Sequence, residues 1–192
     1  MEIYTIGHST HKIEDFIGLL KKNGINSIAD VRSSPYSKYS PQYNKENLKT
    51  ELEKNNIKYV FMGDELGARR TEPEVIDSDG RVNFEKVRQL SVFKKGIERL
   101  KTGVEKGFKI AVMCSEKDPF ECHRFSLVCY SLQNEGLNVK HILEDGSAID
   151  NTELEKRFLA KVPDMFKTKE QEIEEGYKTI ENKIAFVRED KE

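Results

Sequence analysis

The chain has 192 residues, a length suited to one domain with an appendage. Charged residues make up 34% and hydrophobic ones 36%, and the formal net charge is −2, so no overall basic field points to nucleic acid. No apolar run reaches the length of a membrane span, Met1-Glu2-Ile3-Tyr4 does not read as a signal peptide, and three cysteines fit a reducing, cytoplasmic setting.

Residues 3–6 predict a first strand, closed by Gly7, and the helix after it carries Ile13, Phe16, Ile17 and Leu20 on one face. Ser9 or Thr10 is its expected N-cap and Gly24 its stop. A second strand, 25–31, runs into Arg32. The loop 33–43 holds Ser33, Ser34 and Pro35 together with Tyr36, Tyr39 and Tyr43, rings suited to stacking on a base. Asn44 opens a helix with Leu48 and Leu52 inward, and a third strand covers 57–61. Gly63, Glu65, Gly67, Arg69 and Arg70 follow it. Residues 71–83, acidic and punctuated by Pro73 and Gly80, read as a mobile loop. Helix returns near Phe84, breaks around Ser91 and presents Phe93, Ile97, Leu100 and Val104 until Gly107.

The stretch that follows is the most informative. A buried strand, 108–113, turns polar at Cys114. Asp118-Pro119-Phe120-Glu121 has the form of a helix start: Asp at the cap, Pro at the first helical position, Glu three residues after the cap. Cys122, His123 and Arg124 are therefore expected in the first turns of a helix that buries Phe125, Val128, Cys129 and Leu132 and ends at Gly136. A fifth strand, 139–143, closes on Asp145-Gly146.

Strands alternating with helices predict an α/β fold, a three-layer domain over 1–149 with a mainly parallel sheet of about five strands. Strand signals stop near residue 150, and a helical C-terminal extension, 150–192, takes over with 12 acidic and 9 basic side chains. Within it Ile173, Tyr177, Ile180, Ile184 and Val187 approach helical spacing from Lys167 to Asp190. Such a charged helix is ordinarily a solvated face; its apolar stripe also suits packing on a second copy, a homodimer through the C-terminal helices.

Each predicted strand is followed by residues able to do chemistry, and in a parallel sheet these ends share one edge. Catalytic roles are expected for His8, Glu116, His123 and Cys114, and substrate binding for Ser9, Arg32, Ser33, Ser34, Arg69, Arg70 and Arg124. Blander roles stand beside these. Arg32 can pair with Asp30, the two adjacent arginines can simply be solvated, and Cys122 can join Cys129 in the core. Cys114, Cys122, His123 and His8 could in principle supply four ligands to zinc, but the separation of Cys114 from Cys122 matches no familiar knuckle and no second cysteine pair exists, so no metal site is assigned. No Walker or dinucleotide glycine motif is present, and the cofactor is left open.

Thr5-Ile6-Gly7-His8-Ser9, Asp30-Val31-Arg32 with Ser33, Pro35 and Ser37, Leu66-Gly67, and Cys114-x-Glu116 followed by Cys122-His123-Arg124 resemble the DUF488 family over about residues 1–146. That family consists of uncharacterised, mainly prokaryotic soluble proteins, so the resemblance implies a shared site at these motifs without implying a reaction.

Three functions compete. The first is an enzyme acting on a phosphate-bearing substrate, a nucleotide or nucleic-acid component, clamped by arginines at the strand ends. The second is cysteine-dependent sulfur transfer or redox chemistry at Cys114 or Cys122. The third is a non-catalytic module that binds an anion or nucleotide. An oxyanion beside Arg32 or Arg124 is the expectation drawn from the charges alone.

Overall fold

The alternating signals become a six-stranded sheet in the computed structural model, which describes residues 1–159 and 166–187. The strands are β1 (Glu2–Gly7), β2 (Ser27–Asp30), β3 (Lys58–Phe61), β4 (Ile110–Cys114), β5 (Asn138–Ile142) and β6 (Ala148–Asp150). The helices are α1 (Ile13–Lys22), α2 (Lys45–Lys54), α3 (Gly63–Leu66), α4 (Phe84–Gln89), α5 (Ser91–Glu105), α6 (Tyr130–Asn134), α7 (Asn151–Glu155) and α8 (Lys169–Ile184). In space the strands run β3-β2-β4-β1-β5-β6, all neighbours parallel except β5 and β6. β6 is the strand beyond the expected five. It returns through a tight turn at Gly146, whose φ of 77° suits glycine, and its three residues are too few for an alternating pattern to register.

Strand periodicity sorts side chains onto two faces. Tyr4, Ile6, Ile28, Ala111 and Met113 pack under Phe16, Leu20, Leu48 and Leu52 of α1 and α2. Ile3, Ala29, Val31, Val112 and Cys114 pack under Phe93, Ile97 and Leu100 of α5 and Val128 and Leu132. Three layers result, with α1 and α2 on one side and the remaining helices of the domain on the other.

Two expected caps are corrected. Ser9 has a left-handed φ of 47° and continues the β1–β4 ladder, giving its N–H to the Ser115 carbonyl at 2.9 Å. α1 therefore begins later, with Lys12 at the N-cap and no side-chain cap. Asn44 does precede α2, but its side chain accepts from the Ser37 N–H at 2.7 Å instead of capping.

The helix expected from Asp118 is corrected too. Asp118 accepts from the Phe120 N–H at 3.0 Å and, with Pro119, closes a single 3₁₀ turn, Pro119–Glu121. Cys122 returns to an extended backbone, and a π-helical segment, Arg124–Cys129, winds next and leads into α6. Cys122 thus lies before this helical run, not in its first turns.

Residues 71–83, read as a mobile loop, carry structure: Val75 and Val82 are buried and Ile76 bridges Val82. The same segment holds the C-terminal chain, since Val82 donates to the Phe186 carbonyl at 2.9 Å and Arg81 bridges Val187. α8 lays Tyr177 and Ile180, part of the stripe suited to a second copy, against Phe125 and Leu154 of its own chain. The helical expectations for 160–165 and 188–192 lie outside the described residues. Among the described residues no helix is long and apolar enough to cross a membrane.

Candidate functional site

The parallel strands do bring their C-terminal ends to one edge, yet the pleat divides the expected residues between the two faces of the sheet. His8 and Arg32 continue the parity of Ile6 and Asp30 and lie on the α1/α2 side, beside buried Tyr43. Cys114 and Cys122 lie on the other side, in the core under α5.

On the first side, Arg32 is held from several directions. Its Nε donates to Asp30 Oδ1 at 2.9 Å and its Nη2 to Asp30 Oδ2 at 2.6 Å and to the Tyr43 carbonyl at 2.9 Å. Tyr59 donates to the same carboxylate at 2.7 Å. Arg32 Nη1 faces His8 Nε2 at 3.2 Å, while His8 Nδ1 faces the Ser9 carbonyl at 2.9 Å. A carbonyl can only accept, so Nδ1 carries the proton and Nε2 accepts from Arg32. His8 is therefore neutral. Burial, then the charge of Arg32, pulls its pKa down to about 4. Tyr43, expected as a platform for a base, stacks instead on His8, with ring centroids 4.0 Å apart.

Arg70 and Arg124 also point inward. Arg70 donates to the carbonyls of Asp64 and Glu65 and pairs with Glu72, anchoring the turn after α3. Arg124 donates from Nη1 to the Glu116 carbonyl at 2.6 Å and from Nη2 to the Lys117 carbonyl at 3.1 Å, leaving its buried Nε unpartnered. This approach needs Gly7, because a Cβ there would overlap the Glu116 carbonyl. Both arginines brace loops and line neither cavity described next.

The second side holds the reactive groups. His123 Nε2 donates to the Val31 carbonyl at 3.1 Å, which turns Nδ1 toward Cys114 Sγ at 3.8 Å and Cys122 Sγ at 4.0 Å. The backbone N–H of Arg124 points at Cys122 Sγ from 3.4 Å. Burial opposes ionisation of Cys122, but the hydrogen bond from Cys114, the Arg124 charge and His123 outweigh it and hold its pKa well below the ordinary thiol range. Cys114 moves the opposite way, pushed up by that same hydrogen bond and by burial. Burial also disfavours protonated His123, yet the bond to Cys122 and its charge raise the imidazole above its usual value. Glu116 is pushed up by burial and then by Cys122, and among the described residues its Oε2 has no hydrogen-bond partner. Cys129 stays in the core, its thiol raised by burial.

Two adjoining cavities open at this edge. One, of about 250 Å³, is lined by Cys114, Cys122, His123, Glu116, Ser33, Ser34, Arg32 and Arg69, with Ile184 and Phe186 as a further wall. The other, of about 340 Å³, is lined by His8, Arg32, Tyr36, Lys117 and the hydroxyls of Ser9, Thr10, Ser34, Ser37, Ser40 and Ser115. Arg32, Ser34, Ser115 and Glu116 belong to both. Ser33 accepts from the Arg69 N–H at 3.0 Å, and the exposed Arg69 guanidinium lies over the Phe186 ring, 5.5 Å from its centroid. Ile184, Phe186 and Glu121 escaped the sequence reasoning. Phe186 follows the end of α8, and no local pattern there points back to the strand ends.

An α/β protein with a cysteine–histidine cluster at the C-terminal edge of its sheet is the class that fold and site define. Residues 12–131 match the family described as Domain of unknown function DUF488, and the chain belongs to that family. β1 with His8 lies before the matched stretch, while Cys114, Glu116, Cys122, His123 and Arg124 lie inside it. Comparison with curated proteins and with solved structures gave no match.

Proposed function

We propose that the chain is a dithiol enzyme in which Cys122 is the attacking thiolate, His123 its acid–base partner and Cys114 the second thiol. The meeting of two sulfurs and an imidazole nitrogen within 4.8 Å of one another, on the wall of a cleft, carries this proposal. Cys122 attacks a substrate disulfide; a bond forms to Cys122 as the substrate S–S bond breaks, and the departing thiolate takes the His123 proton. Cys114 then gives its proton to His123 and attacks the Cys122 sulfur. A Cys114–Cys122 disulfide forms, and the second substrate thiolate leaves with that proton. The two protein thiols thereby supply two electrons and two protons, and an external thiol restores the site. Such a cycle fits a reducing cytoplasm.

Cys114→Ser protein treated with a small aromatic disulfide should trap a mixed disulfide on Cys122, read by peptide mass. Mild oxidation of the unmodified protein should link Cys114 to Cys122. Trapping on Cys129, or no preference among the three thiols, would sink the proposal.

The serine-rich walls of the two adjoining cavities favour a second candidate, a phosphate-bearing substrate such as a nucleotide or nucleic-acid component. Arg69, exposed and without an ion pair to a described carboxylate, would meet its phosphate beside Ser33 and Ser34. Arg32, paired with Asp30, and Arg124, which lines neither cavity, would contribute little. Calorimetry with phosphate, pyrophosphate and nucleotides tests this. Binding should weaken in Arg69→Ala and with added salt, and should persist when both Cys114 and Cys122 are serine.

A further inference from the structure

We infer that Cys114, Cys122 and His123 form a three-ligand site for a soft divalent cation, Zn²⁺, with its fourth position open to the cleft. The inference rests on the dithiol proposal and adds a regulator to it: the reduced pair binds the ion, and the oxidised pair cannot.

Geometry supplies the first reason. The two sulfurs and His123 Nδ1 lie within 4.8 Å of one another, with nitrogen–sulfur separations of 3.8 and 4.0 Å. Tetrahedral zinc, with its characteristic bonds to sulfur and nitrogen, holds such donors about 3.5 Å apart. Side-chain shifts of a few tenths of an ångström would bring the nitrogen to ligand spacing from both sulfurs.

The surroundings supply the second. A metal-binding imidazole ordinarily gives its other N–H to a carbonyl or carboxylate, which fixes the ring and aims the free lone pair. His123 does this through the Val31 carbonyl. The Arg124 N–H directed at Cys122 Sγ is the hydrogen bond a thiolate ligand accepts. Two thiolates and one imidazole select zinc over magnesium or calcium, which prefer oxygen.

The third reason is the open side. Three protein donors leave one tetrahedral position free, the pattern of zinc sites that take a water or a substrate atom. Glu116 lines the same cleft, and among the described residues its buried Oε2 has no hydrogen-bond partner. That carboxylate is placed to accept a hydrogen bond from a water at the open position. The spacing of Cys114 and Cys122 along the chain did not point to a metal because the turn between them, and not a compact knuckle, brings the sulfurs together.

Full-length protein, reduced and stripped with a chelator under anaerobic conditions, should bind one equivalent of Co²⁺. The expected signature is tetrahedral visible absorption with a thiolate-to-cobalt charge-transfer band, displaced by Zn²⁺. Cys122→Ser and His123→Ala should weaken Zn²⁺ binding by roughly 100-fold or more. Should either variant misfold, the unmodified protein gives a second measurement: Zn²⁺ should protect Cys114 and Cys122, but not Cys129, from alkylation. Absence of the charge-transfer band, or equal protection of all three thiols, overturns the metal site. Oxidation of the metal-free protein separates the two proposals. A Cys114–Cys122 disulfide without cobalt binding removes the metal and leaves the dithiol cycle. Cobalt binding without a disulfide does the reverse.

Discussion

Arg32 grips Asp30 through two parallel hydrogen bonds, Nε to Oδ1 at 2.9 Å and Nη2 to Oδ2 at 2.6 Å. Asp30 is fully buried and Arg32 is 5% exposed, so the pair forms a neutral brace beneath the strand ends. Its charge is balanced within the protein, and an anion in the cleft gains little from it.

Breaking that brace should cost stability. Arg32→Ala leaves a buried carboxylate with only Tyr59 and a backbone amide, and should lose about 3–5 kcal/mol in urea denaturation. Joining it with Asp30→Ala should cost clearly less than the two single losses added together. Additive losses would show that the two residues do not act as a pair.

The three thiols should differ in their pH response. Cys122 is held as a thiolate below the ordinary thiol pKa, so its alkylation should remain fast as the pH falls from 8 to about 6. Cys114 and Cys129 are pushed up and should react slowly across that range. Iodoacetamide labelling followed by peptide mass spectrometry reads all three at once. A Cys122 rate that falls in step with an ordinary thiol contradicts the assignment.

Acid should unfold the protein through its buried histidines. His8 and His141 are both pulled down to about 4, chiefly by burial, with Arg32 the next influence on His8. His141 sits between Thr5 Oγ1 at 2.8 Å and Asn151 Oδ1 at 2.7 Å. Unfolded, each titrates near 6.5, so between that value and 4 the unfolded chain binds more protons and stability falls as the pH drops. Each histidine contributes a loss on the order of 3 kcal/mol across the window. His141→Gln should flatten this slope in denaturation measured from pH 7 to 4, while lowering stability at neutral pH. An unchanged slope would place the titrating group elsewhere.

Phe186 walls the thiol cavity from a segment docked on Val82. Phe186→Ala should speed alkylation of Cys122 several-fold and cost less than about 2 kcal/mol, since the ring is only half-buried. An unaltered rate would mean that reagent enters from the hydroxyl-lined side.

That His8, Arg32 and Cys114 share one edge of the sheet was legible in the sequence, because parallel strands must end together. Their division between two faces was not readable. It depends on the register of Gly7 opposite Cys114, a pairing between distant segments. The inward-turned arginines were hidden for the same reason, because carbonyls of the 116–117 loop and of α3 accept from Arg124 and Arg70. Asp118 was rightly read as a capping residue, but a cap announces a turn of unknown length, and this one stops before Cys122.

The central place of β1 sets the timetable of folding. Its two neighbours are β4 and β5, with Tyr4 opposite Ala111 and Ile3 opposite Val139. β2 can meet β3 early, but β4 must arrive before β2 and β1 are joined. On the ribosome, Ile3, Tyr4 and Ile6 therefore wait without strand partners until most of the sheet has been synthesised. Such long-range closure is slow, and the waiting apolar strand is exposed to aggregation. A chain stalled before β4 has one strand pair, an unpaired β1 and no common edge on which a site could form.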